Sequence, residues 1–198
     1  MQLIGSVVRL QVQLSSLKLG ERPWRWYDPA PLRGVPRLAI DQSGVVGWTA
    51  EGDRMDDVHH LAHPDSKNRG GNGVSVGFTS HYGAMRRRFG THLVDGIAGE
   101  NVLIATGLAG GLAFSAGELD GAALVVETDG GPVRLERLSV AEPCVEFSRF
   151  ALGDGAADAE SHALKAALDF LRRGMRGYYT VCQRSGVVEL GDMVYLQK

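Results

Sequence analysis

The sequence predicts a mostly β protein, an antiparallel β-barrel with a few α-helices, in which residues 1–198 form a single domain. Short runs of alternating apolar and polar residues recur along the whole chain. The 27 glycines are spread between those runs, as the tight turns of a closed or strongly twisted sheet require. Only two segments carry a helical period. With 198 residues, 44% hydrophobic and 22% charged, the chain is large enough to bury one sizeable core.

The opening "MQLIGSVVRLQVQL" places Ile4, Val8, Leu10, Val12 and Leu14 in two-residue phase, which predicts a strand over Ile4 to Leu14 rather than a secretory leader. In "KLGERPWRWYDPAPLRGVP", two tryptophans and four of the seven prolines argue for an ordered loop. Strands are expected at Arg37 to Asp41 and Val74 to Phe78. A helix follows in "TSHYGAMRRRFG", capped by Thr79 or Ser80, with Tyr82, Met85 and Phe89 on one face and Gly90 at its stop. After a strand at Asn101 to Ala105, the clearest hairpin joins Ala122 to Thr128 with Val133 to Ala141 through Asp129–Pro132. In its second strand the apolar set runs Val133, Leu135, then Leu138, Val140. The slip of phase near Arg137 predicts a β-bulge that re-aims the residues beyond it.

The second helix is expected in "DAESHALKAALDFLRRG", with Leu164, Ala167, Leu168 and Leu171 as its apolar stripe. Asp158 or Ser161 stands near its start and Gly174 past its end, and Arg172 and Arg173 suit the dipole of its last turn. Strands at Tyr178 to Gln183, Val187 to Leu190 and Met193 to Leu196 complete the sheet.

A formal net charge of −2 and a pI near 6.3 exclude a global attraction to nucleic acid or anionic membranes. The longest uncharged stretch, 101–117, holds four glycines and falls short of the ~20 apolar residues of a membrane span. The two cysteines, Cys144 and Cys182, read as thiols in a reducing compartment, so a cytoplasmic location is expected.

Three constellations could carry chemistry. "GDRMDDVHHLAHPD" concentrates Asp53, Asp56, Asp57, His59, His60, His63 and Asp65, which could ligate a metal for hydrolysis or serve as turn and solvent-facing polar residues. "SKNRGGNG" is a glycine-rich loop in which Lys67 and Arg69 could help backbone amides cradle an anion; it lacks the GK[ST] of a nucleotide-binding loop. Cys182, inside "YYTVCQ", reads as a small core hydrophobe. Cys144 follows the bulge and Pro143, where the ladder is released and a thiol can face a cleft.

In order along the chain, "GSVVRLQV", "GDRMDDVHH", "SHYGAM", "GIAGEN", "EPC" and "RGYYTVCQRSGVVELGDMVYL" resemble the MOSC family, named for the C-terminal domain of molybdenum cofactor sulfurases. The resemblance spans nearly the whole chain and implies a MOSC-type β-barrel. It also implies that Cys144 is the family cysteine, which ligates molybdenum in the pterin cofactor (molybdopterin) of reductases of N-hydroxylated compounds or carries sulfur as a persulfide. Glu100, Asn101, Arg176 and Tyr179 are then expected at the cofactor pocket, with a sulfur donor or electron-donor protein and a small-molecule substrate as partners. The competing expectations are a metal-dependent hydrolase built on His59, His60 and His63, and a non-catalytic module on the same barrel. Three departures stand out: Ala141 and Glu142 replace the arginine often found before the P-C pair, Ala98 stands where an aromatic is common, and "LAHPDSKNRGG" replaces H-G-G. The Glu142 carboxylate is expected to oppose thiolate formation and a bound phosphate.

Overall fold

A computed structural model of the chain describes residues 1–106, 116–153 and 161–197. In order, its elements are β1 (Gln2–Gln13), β2 (Lys18–Leu19), β3 (Trp26–Tyr27), β4 (Leu32–Gly34), β5 (Arg37–Asp41), β6 (Gly44–Trp48), β7 (Arg54–Asp56), β8 (Val74–Phe78), α1 (Thr79–Phe89), β9 (Val102–Thr106) and α2 (Ala116–Leu119). Then come β10 (Ala123–Glu127), β11 (Val133–Val140), α3 (Val145–Leu152), α4 (Ser161–Phe170), β12 (Tyr178–Cys182), β13 (Gly186–Glu189) and β14 (Met193–Gln197).

Strands β14-β10-β11-β12-β8-β9-β1 hydrogen-bond in that order, and β1 pairs back onto β14, closing a seven-stranded barrel. Every neighbouring pair is antiparallel except β8 and β9, which are parallel. The barrel is therefore mixed rather than wholly antiparallel: α1 leaves the end of β8 and returns the chain to the start of β9, so both strands run the same way. Side chains such as Leu10, Val76, Phe78, Ile104, Leu124 and Leu135 fill the interior. A second sheet, β13-β5-β6-β7, adds Leu38, Ile40, Val45 and Val188 to the same core. Its strand β6 is invisible to alternation because four of the five residues in "GVVGW" are buried.

The phase slip in β11 is a bulge. The β11–β12 register shifts between Glu136 and Ser139, and Arg137 takes a left-handed φ of 53°. Thr180 Oγ1 donates to the freed Glu136 carbonyl at 2.8 Å. An L-residue with a side chain is strained there, so Arg137→Gly should raise stability by about 0.5–1 kcal/mol. A thermal melt checks this; an unchanged or lower midpoint would show that the arginine side chain offsets its own strain.

The two expected helices form, with altered ends. Neither Thr79 nor Ser80 caps α1, whose N-cap is Phe78 with no side-chain bond. Their hydroxyls instead meet Thr106, whose N–H donates to Thr79 Oγ1 at 3.2 Å and whose Oγ1 donates to Ser80 Oγ at 2.8 Å. Gly90 does stop the helix, at φ 123°. Asp158 lies outside the described residues. The chain beyond α4 continues through a wide turn, Leu171–Met175, in which Gly174 takes φ 83°.

Besides the short α2, an unexpected helix, α3, begins directly after Cys144, where the sequence suggested only a released strand end. It packs with α1, α4 and β3 outside the barrel wall, around Tyr27, Tyr82, Met85, Leu103, Phe147 and Leu171. No helix among the described residues is long and apolar enough to cross a membrane.

Candidate functional site

Cys144 is the N-cap of α3. Its backbone is extended, at φ −102° and ψ 159°, its Sγ accepts a hydrogen bond from Phe147 N at 3.4 Å, and its carbonyl takes both Ser148 N and Ser148 Oγ. The thiol is half-buried and sits at the positive end of the helix dipole. Pro143 suits the release of the strand: it has no N–H to offer the ladder, and the chain turns there from β11 into the helix.

Arg176 reaches the same place from the other side of the fold. The turn after α4 ends at it, and Gly177 follows at φ 99°, where a Cβ would crowd the Val76 carbonyl at 2.5 Å and Glu100 Cγ at 3.1 Å. Ala141 N donates to the Gly177 carbonyl at 3.0 Å, tying the approach to Cys144 to the approach to Arg176. The guanidinium lies 5.9 Å from the centre of the Phe147 ring, and its Nε is buried with no hydrogen-bond partner among the described residues. Burial works against its charge, but Tyr179, Tyr27, Cys144 and Glu100 together raise its pKa above the ordinary value.

Glu100 closes the back of the site. It is 3% exposed, lies against Gly77 and Gly177, accepts from Tyr82 Oη at 2.7 Å through Oε2, and has no partner for Oε1 among the described residues. Burial pushes its carboxyl up; the Tyr82 bond, its own N–H and Arg176 pull the other way without prevailing. The preceding glycines explain the spacing of "GIAGEN": Gly96 and Gly99 take φ 84° and 94°, allowing consecutive tight turns that deliver Glu100 to the wall.

Arg176 therefore stands between the Phe147 ring, whose N–H meets Cys144, and Gly177, which packs on Glu100; Tyr179, Tyr27, Cys144 and Glu100 are the groups that favour its charge. The structure adds Tyr27, which sequence reasoning passed over inside the proline-rich loop. Tyr27 donates to the Ile97 carbonyl at 2.6 Å and packs edge-on against Phe147, with ring centres 5.0 Å apart. Burial pushes its phenol up, opposed by Arg176. Glu146 is the other addition. Burial alone would raise its carboxyl, but its own N–H, the Cys144 thiol, Lys18 and Arg25 hold it below the ordinary value. Both cations lie 3.9 Å from it. An acidic residue in the first helical turn was the available signal.

The remaining expected residues have other surroundings. Asn101 is absorbed by the scaffold: its side chain bonds Ser75, the Gln11 carbonyl and Asp57. Lys67 and Arg69 are exposed on the loop before β8, and their side chains have no ionic or hydrogen-bond partner among the described residues. Glu142 is largely exposed and its carboxylate is paired with Arg172 at 3.1 Å. Ala98 is buried and gives its N–H to Tyr82 Oη at 3.0 Å. Cys182 is 2% exposed and donates to the Arg184 carbonyl; burial pushes its thiol up.

The histidine cluster is dispersed into turn bonds. Asp57 takes His59 N and Nδ1, His60 Nδ1 accepts from Ala62 N, and His63 bonds the Leu14 carbonyl and Asp65 N. Among the described residues no group of three or more His, Cys, Asp or Glu side chains converges to hold a metal. A hydrolase centre built on His59, His60 and His63 has no geometry here.

Several solved structures share this arrangement of strands. YuaD from Bacillus subtilis superposes with a TM-score of 0.60 at 13% identity, over 99% of this chain and 96% of its own. The chain shares that fold. A hypothetical protein gives 0.52 at 12% identity over 98% of this chain and 69% of its own, and YiiM from Geobacillus stearothermophilus gives 0.50 at 14% over 100% and 75%. At these identities the likeness extends to the fold alone. No family model matches the sequence, and no curated protein matches it.

Proposed function

We propose that this chain is a MOSC-type protein that binds the molybdenum cofactor, with Cys144 as its working thiol, serving as molybdenum ligand or as sulfur carrier. The observation that carries the reading is that Cys144 and Arg176 share Phe147 as a neighbour: Phe147 N donates to Cys144 Sγ at 3.4 Å, and the Arg176 guanidinium lies 5.9 Å from the Phe147 ring centre with its Nε buried and without a hydrogen-bond partner among the described residues. The barrel itself, which the resemblance implies, is the fold this chain shares with YuaD and YiiM.

The donor set fits the group. A thiolate sulfur is a soft ligand, suited to a soft metal centre. Arg176 Nε has no acceptor among the described residues; the phosphate of a pterin cofactor would supply one, and a guanidinium matches that group's geometry. Cys144 would hold the metal and Arg176 the anionic end, with Tyr27 and Tyr179 flanking them. When bound, the cofactor supplies the oxygen-, sulfur- or electron-transfer chemistry of an oxidoreductase, reduction of N-hydroxylated compounds included. The protein holds its thiol at a helix N-terminus and keeps the carboxylates of Glu142 and Glu146 matched by Arg172, Lys18 and Arg25. An electron donor or sulfur donor is then the required partner, beside a small-molecule substrate.

The test is metal analysis with fluorescence of the oxidised pterin, on protein purified from a host that makes the cofactor. Native protein should carry both, and Cys144→Ser should lose both. Serine is a strong N-cap, so that variant should be as stable as the native chain or about 0.5 kcal/mol more so, which separates lost binding from lost folding. Retention of molybdenum and pterin by Cys144→Ser contradicts the assignment.

A further inference from the structure

We infer that the chain forms a two-fold dimer through an open apolar groove on the barrel wall, filled by the exposed Leu190 of a second copy. The groove follows from how β1 is flanked. On one edge β1 pairs with β9; on the other, β14 takes Gln2–Ser6 and β4 takes Gln11–Gln13, leaving the stretch between them without a neighbouring strand. The backbone bulges there: the register against β9 shifts between Val7 and Arg9, and Val8 stands 45% exposed. Val8, Arg9, Gly34, Val35, Pro36 and Leu190 line an open groove of about 350 Å³.

Two observations select a second copy as the occupant. The first is a knob beside the hole. Leu190 is 52% exposed on the rim, and the turn that carries it is pinned: Gly191 N donates to the Val7 carbonyl at 2.8 Å, Val7 N to the Asp192 carbonyl at 2.9 Å, and Glu189 N to Asp192 Oδ2 at 2.8 Å. A two-fold interface requires one patch to supply both halves of the contact, and here a fixed apolar knob adjoins an apolar groove.

The second is charge. Glu189 precedes the knob and Arg9 walls the groove; both are exposed, and neither has an ion pair among the described residues. Arg37, across from Glu189 in the β13–β5 register, lays its guanidinium over Trp48 instead. Arg9 is held in advance, because its Nε donates to Gln11 Oε1 at 2.7 Å and a Cβ on Gly96 would meet its Cδ at 2.7 Å. As Leu190 enters the groove of the second copy, Glu189 arrives at that copy's Arg9, and the two-fold axis repeats the pair. A partner surface of a single sign would leave one of the two charges facing its like.

Sedimentation velocity of the full chain over a range of concentrations tests this. The expected result is a species of twice the 21.2 kDa chain mass, growing with concentration. Leu190→Asp should weaken the dimer at least about thirtyfold, the loss typical of a central anchor, and should leave the thermal midpoint of the dilute monomer unchanged because Leu190 is exposed there. Arg9→Glu and Glu189→Arg should each weaken it about tenfold, and the two together should return it to within about twofold of native. That rescue distinguishes this contact from any other self-association. A chain that stays monomeric at every concentration overturns the inference, as does a dimer that Leu190→Asp leaves intact. A double variant no tighter than the single ones, or oligomers that grow past the dimer, overturns it as well.

Discussion

Asp57→Ala should lower the unfolding free energy by about 4 kcal/mol, the largest single-residue loss expected outside the apolar core. The Asp57 side chain is fully buried, and its oxygens accept from Gln13 N at 2.7 Å, His59 N at 2.8 Å, Asn101 Nδ2 at 2.8 Å and His59 Nδ1 at 3.0 Å. Alanine would leave those donors unpaired, and each buried orphan costs about 1–3 kcal/mol. The bonds join strand β1, the turn after β7 and the segment entering β9, so the loss acts on the barrel wall that carries Glu100. Urea denaturation of native and variant protein measures it. A loss below about 1 kcal/mol would mean that water replaces the carboxylate at every donor.

Glu100→Gln should change how stability depends on pH. Because burial raises the Glu100 pKa, the folded chain keeps a proton that the unfolded chain has already released over the window between the ordinary glutamate value and the raised one. There the native state binds more protons than the unfolded state, so stability must fall as pH rises, by up to about 1.4 kcal/mol per pH unit for one proton. Below the window both states are protonated and the contribution is at its full value. Glutamine preserves the shape and can still accept from Tyr82, but it cannot titrate. The variant should therefore gain on native protein as pH rises through the window and hold a constant difference below it. Denaturation at a series of pH values, taken as the difference between the two proteins, isolates this one group. A difference that is flat, or that favours native protein as pH rises, would mean that Glu100 is ionised in the fold.

The sheet could be read from the sequence because alternation reports one buried face. The limits of β5 and β8 match the expected runs, and the bulge at Arg137 was visible as a change of phase between Leu135 and Leu138. Strand β6 escaped because burial on both faces removes alternation. Helix α3 escaped because eight residues give barely two turns, and "VEFSRFAL" follows a strand and a proline without a conventional cap residue. At the site, Cys144, Arg176, Tyr179 and Glu100 were named by resemblance to a family, whereas their coupling depends on contacts far apart in sequence. Tyr27 illustrates the difficulty. It lies 70 positions from the carbonyl it binds, in a loop whose tryptophans and prolines attract attention first. The partner of Glu142 was likewise hidden, because Arg172 comes from the end of a helix 30 positions away.

Brief iodoacetamide treatment of the folded protein, followed by peptide mapping, tests most directly whether Cys144 is the working thiol. Cys144 is half-buried at the positive end of α3, where Phe147 N donates to its sulfur, while Cys182 is buried, bonded to the Arg184 carbonyl and pushed up by burial. Reaction needs both access and thiolate, so label should appear on Cys144 while Cys182 stays unmodified until the chain unfolds. Label on Cys182 first, with Cys144 inert in the folded protein, would contradict the assignment.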